Sequence, residues 1–147
     1  MKKALVAIAL ILGLVGCDVK DSVKSNNDYT PEYVNDAKSD LRNAIISNLI
    51  KNPDFECNSL MLSQQVYWFI GCFIPDKNPM PFLLFEVHSD PSESNPPFKY
   101  RLVAINGKAK QYAENPALRF LKVDTTVNSS VDIGQAISDF VEAYPAK

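Results

Sequence analysis

Glu86 and His88 stand two residues apart in a run, Phe82 to His88, that alternates as a β-strand does. Side chains at i and i+2 share one face of a strand, so the carboxylate can orient the imidazole for general-base work. Hydrolysis would also need a nucleophile and an oxyanion site. Ser89 follows His88 but falls on the opposite face, and no Gly-x-Ser-x-Gly elbow is present. The expectation is a chain that is not an enzyme, in which Glu86 and His88 serve structure or hold a ligand.

A second group is basic. Lys99, Arg101, Lys108, Lys110, Arg119 and Lys122 are interrupted only by Glu114. Lys99 and Arg101 share a strand face, and a tight turn at Asn106-Gly107 would bring Lys108 and Lys110 alongside. Such a patch suits anionic lipid headgroups or an acidic protein partner, or it is a solvated sheet edge guarded by lysines. The third group is aromatic: Tyr67, Trp68, Phe69, Phe73, Phe82, Phe85, Phe98, Tyr100 and Phe120. The run Val66 to Ile74 is apolar on both parities, so one sheet face is left over if helices cover only the other. That surplus face is packed core, a partner surface, or a ligand pocket beside Trp68, Glu86 and His88.

The chain opens Met1-Lys2-Lys3, continues with an unbroken apolar run from Ala4 to Val15, and closes that run with Leu14-Val15-Gly16-Cys17. The apolar run fits a signal h-region and falls short of the roughly 20 residues that span a bilayer. This opening resembles the signal of bacterial lipoprotein precursors, with Leu14, Val15, Gly16 and Cys17 as the lipobox. The resemblance implies cleavage before Cys17 by signal peptidase II, lipid on Cys17, and a membrane-anchored protein facing the periplasm. Asp18 resembles the residue that retains such proteins in the inner membrane; the outer membrane stays open. Two or three acyl chains make a lasting anchor where one alone is marginal. Asn128-Ser129-Ser130 fits a glycosylation pattern that a bacterial protein would not use.

Without residues 1–16, 131 of the 147 residues remain, enough for one domain with a real core. Loss of Lys2 and Lys3 moves the formal charge from -2 to -4. That balance argues against nucleic acid as a partner. Apart from Cys17 the chain has only Cys57 and Cys72. In an exported protein such a pair is read as a disulfide, and with the lone His88 it is too small a set for zinc. No cofactor is indicated.

These groups must be positioned by a few elements. Residues 17–29 are polar and aperiodic, a tether of about 20 Å as a flexible coil, leaving 30–147 as a single domain. Thr30 and Pro31 start a helix whose stripe is Val34, Ala37, Leu41, Ala44, Ile45 and Leu49. Asn52-Pro53 stops it. Strands are expected at Gln65 to Ile74, Phe82 to His88, Phe98 to Ile105 and Leu118 to Thr125, while Asp54 to Gln65 reads either as a loop or as a loop with a short strand around Leu60 to Leu62. Lys108 to Asn115 reads as either a hairpin arm or a short helix. Ser129 or Ser130 caps a last helix with the stripe Ile133, Ala136, Ile137, Phe140, Val141 and Tyr144.

The order predicts an α+β fold: an antiparallel sheet of about four strands with both terminal helices on one face. In architecture alone it is similar to the cystatin-like and NTF2-like groups. Two functions fit. One is an envelope lipoprotein that recognises another protein through Lys99, Arg101, Lys108 and Lys110, as assembly, inhibitor, immunity or exclusion factors do. The other is a lipoprotein holding a small apolar ligand or lipid in the concave sheet face.

Overall fold

The computed structural model describes residues 29–62, 65–75, 78–91 and 97–145. The signal, the lipobox with Cys17, and residues 18–28 of the expected tether lie outside the described residues. Among the described residues no helix is long and apolar enough to cross a membrane.

Helix α1 (Glu32–Asn48) leads into strands β1 (Glu56–Met61), β2 (Trp68–Ile74), β3 (Asn78–Ser89) and β4 (Tyr100–Ala104), followed by helices α2 (Gly107–Ala113) and α3 (Ile133–Ala143). A 3-10 helix, Pro116–Leu121, separates α2 from α3. The strands form one antiparallel sheet in the order β1-β2-β3-β4. This is the α+β fold expected from the chain order.

The alternation along each strand assigns its two faces. Trp68, Ile70 and Cys72 of β2, Leu83, Phe85 and Val87 of β3, and Leu102 and Ala104 of β4 pack against Val34, Ala37, Leu41 and Ile45 of α1. The interleaved residues Phe69, Leu84 and Val103 pack against Ala136 and Phe140 of α3. The two terminal helices therefore lie on opposite faces, which corrects the expected placement of both on one. The surplus apolar face of β2 is the seat of α3, and two-sided burial is why its residues read as apolar on both parities.

The chain changes face by passing round the β4 edge. Leu118 and Leu121 of the 3-10 helix still pack on the α1 side. Asp124 then forms a parallel bridge with Val103: its N–H donates to the Leu102 carbonyl at 2.8 Å, and its carbonyl accepts from Ala104 N–H at 2.9 Å. Beyond it, Val131 and Ile133 join the α3 cluster. Leu118 to Thr125 is thus not the expected strand, because Pro116 opens a 3-10 turn capped by the Asn115 side chain. The fourth strand is β1, longer than the Leu60 to Leu62 stretch.

Local capping explains the other differences. Asn106-Gly107 makes no hairpin; the Asn106 side chain accepts from Ala109 N–H and caps α2. The same oxygen accepts from Leu84 N–H at 3.1 Å, locking the helix start to β3. Asp132, rather than Ser129 or Ser130, caps α3 through Gln135 N–H. Pro31, not Thr30, occupies the cap position of α1, with no side-chain cap bond.

Candidate functional site

Cys57 and Cys72 face each other across β1 and β2 and form a disulfide, with Cα atoms 4.1 Å apart. Both sulfurs lie in the core beneath α1. Their role is to staple the edge strand β1 to the sheet.

Antiparallel register places Glu86 and His88 on the α3 face of β3, beyond Leu84. His88 Nε2 lies 2.5 Å from Glu86 Oε1, with both side chains mostly shielded. The Tyr67 ring leans on the imidazole at 4.3 Å between centroids. Arg101 pairs with His88 in the register of β4. The carboxylate thus orients the imidazole as the spacing implies. Ser89 lies on the other face, in a groove of about 220 Å³ with Glu32, Tyr33, Asp36, Pro91 and Lys99, so it is no nucleophile for this pair. Among the described residues no three His, Cys, Asp or Glu side chains converge as metal ligands do.

Trp68 is not with them. It points to the α1 face, 8% exposed, inside the core that includes Val87 and Leu102. One residue of offset along adjacent strands reverses the face, so Trp68 and the Glu86–His88 pair do not form the single ligand site that their closeness in the chain suggested. A groove of about 510 Å³ lies between the start of α3 and the end of the β1 hairpin arm; Gln65, Ser130, Asp132, Gln135 and Asp139 give it a polar wall.

The basic residues are likewise divided. Lys99 and Arg101 are exposed at the start of β4. Asp124 pairs with Val103 in parallel, and Lys122, two residues earlier, is exposed at the left-handed end of the 3-10 helix. Hydrogen bonds from the Thr126 N–H and hydroxyl hold the Asp124 carboxyl below its ordinary range, and Arg101 adds a smaller attraction.

Lys108 and Lys110 sit on α2, past the other end of β4. That strand has five residues, or roughly 16 Å at the usual rise. Lys108 bonds Gln111 Oε1 at 3.2 Å and lies 5.6 Å from the centre of the Tyr112 ring. Lys110 donates to the Val127 carbonyl at 3.3 Å. A groove of about 330 Å³ lined by Leu49, Lys108, Gln111, Tyr112 and Asn115 adjoins them. The four basic residues that sequence reasoning joined into one patch therefore occupy two ends of the sheet, because Asn106 starts a helix instead of reversing the strand.

Sequence reasoning missed the tie between α1 and β4. The Tyr100 hydroxyl donates to Asp40 Oδ2 at 2.8 Å. Burial, with the Asp40 carboxylate second, pushes the phenol well above its usual range, so it stays a donor at any physiological pH. The helical stripe placed Asp40 off the core face, and nothing in the spacing paired it with a residue sixty positions on.

Comparison with protein-family models, with curated proteins and with solved structures found no match.

Proposed function

We propose that the chain is a lipid-anchored envelope protein, held through Cys17 and facing the periplasm, that recognises another protein near the membrane surface. Assembly, inhibitor, immunity and exclusion factors act in this way. The inner membrane is the favoured site because of Asp18. The observation that carries the reading is the position of α2. The chain enters the domain before α1, beside the start of β4, whereas Lys108, Lys110 and Tyr112 are at the opposite end. In an anchored protein that end projects outward, and it offers a cation over an aromatic ring beside a groove. Aromatic anchors with a charged surround suit recognition of an acidic surface. The buried disulfide supports the exported location, since such bonds persist in oxidising compartments.

The test is crosslinking in intact cells, comparing the parent with a Lys108→Glu, Lys110→Glu variant. Loss of a captured envelope protein from the variant, at equal abundance in the membrane fraction, is the expected result. An unchanged set of captured proteins would remove α2 from the reading.

A further inference from the structure

We propose that the end of the sheet opposite α2 rests on the bilayer itself, with Tyr29, Val66, Tyr67, Lys99, Arg101 and Lys122 meeting anionic phospholipid headgroups. This inference depends on the anchoring through Cys17 and adds to it an orientation and a second membrane contact.

The leash comes first. Eleven residues separate Cys17 from Tyr29, a reach of no more than about 40 Å even fully extended. The described chain begins at Tyr29, three residues before α1, and the first turns of α1 share a groove with Ser89, Pro91 and Lys99. The end of β3 and the start of β4 are therefore the leashed end. A surface held this close to headgroups meets them at an effective concentration that free encounter does not reach.

The same end leaves several apolar side chains bare. Tyr29 is 89% exposed, Val66 78% and Tyr67 45%. Antiparallel pairing sets Val66 and Tyr67, which precede β2, beside the end of β3, where the Tyr67 ring leans on His88; Tyr29 precedes α1. Tyrosines with an apolar ring and a polar tip settle at the level of the headgroups.

Charge selects the lipid class. Lys99, Arg101 and Lys122 are exposed; Lys99 shares its groove with Glu32 and Asp36, and the exposed Asp132 lines the groove of Leu62 and Gln65. Arg101 pairs with His88 in the register of β4, so its cation and the Tyr67 ring adjoin on the α3 face, away from Glu32 and Asp36. Basic side chains at a membrane surface are drawn to anionic lipid.

The experiment uses the full lipidated chain in vesicles of phosphatidylglycerol and phosphatidylethanolamine, with Tyr67→benzoylphenylalanine in one sample and Gln111→benzoylphenylalanine in another. Light-induced lipid adducts are counted by mass spectrometry, together with the mass of the Cys17 peptide. Adducts concentrated at position 67, and reduced about five-fold for each charge removed in a Lys99→Glu, Lys122→Glu variant, support the proposal. Equal adducts at 67 and 111 with a lipid-modified Cys17 overturn the orientation and leave the anchoring intact. An unmodified Cys17 and no flotation with the vesicles overturn both. In native membranes, a probe at 67 that captures mainly protein overturns the lipid contact.

Discussion

Gly71 is the residue on which the α3 face turns. A Cβ built there would stand 3.0 Å from the Phe140 ring and 3.0 Å from Pro81 Cβ, closer than ordinary van der Waals contact. Its neighbours on the same face, Phe69 and Phe73, are large, so the glycine makes the recess into which Phe140 descends. Gly71→Ala must push the ring or the proline away and should cost about 1–3 kcal/mol, the usual range for overpacking. The midpoint of urea denaturation measures this, with an unchanged slope showing that the denatured state is unaltered. From the chain alone, a glycine inside an apolar strand signals close approach of something. What approaches is named only by the fold, since Phe140 lies sixty-nine positions away in sequence.

Among the elements, α2 depends most on one side chain. Asn106 Oδ1 accepts both from Ala109 N–H, at the start of the helix, and from Leu84 N–H in β3. Asn106→Ala would leave both donors without this acceptor and is expected to destabilise the domain by about 1–2 kcal/mol. Hydrogen exchange should locate the loss, with protection falling first at Ala109 and Leu84. An Asn-Gly pair between a strand and a polar stretch is the usual signature of a tight hairpin. Here the following residues, Lys108 to Ala113, are good helix formers, and the capping use of the same asparagine prevails. The α1 stripe was legible up to Ile45: Val34, Ala37, Leu41, Ala44 and Ile45 are all buried, and Leu49, just past the helix, is half-buried. Helical periodicity over several turns is a local property and survives whatever the helix packs against.

At the scale of the molecule, the sheet has two edges and each is fastened. The β4 edge is covered by the Asp124 bridge. The β1 edge is joined to β2 by the disulfide, and the Tyr144 hydroxyl at the end of α3 donates to the Ser59 carbonyl at 2.6 Å. Removing the disulfide with a Cys57→Ala, Cys72→Ala pair should lower stability by about 3 kcal/mol, the chain-entropy value for a loop of this length. Thermal unfolding followed by circular dichroism would show it as a drop in Tm, and a change far below that size would mean that α1 and Tyr144 hold β1 unaided. The pair was legible from the cysteine count and the resemblance of the opening to an export signal. Its register, with Cys57 directly opposite Cys72, needed the strand pairing.

The amino-acid order alone determined the local properties: the helical stripes, the alternation of β2 and β3, the α+β class, and the pairing of Glu86 with His88 through a two-residue strand repeat. Tertiary structure decided which face each helix covers, where the chain crosses the β4 edge, and that Trp68 and the Glu86–His88 pair look away from each other. It also parted Lys99 and Arg101 from Lys108 and Lys110. The reason is that periodicity records how a side chain lies relative to its own backbone, whereas face, edge and neighbour depend on where distant segments return, and a single cap such as Asn106 can redirect that return.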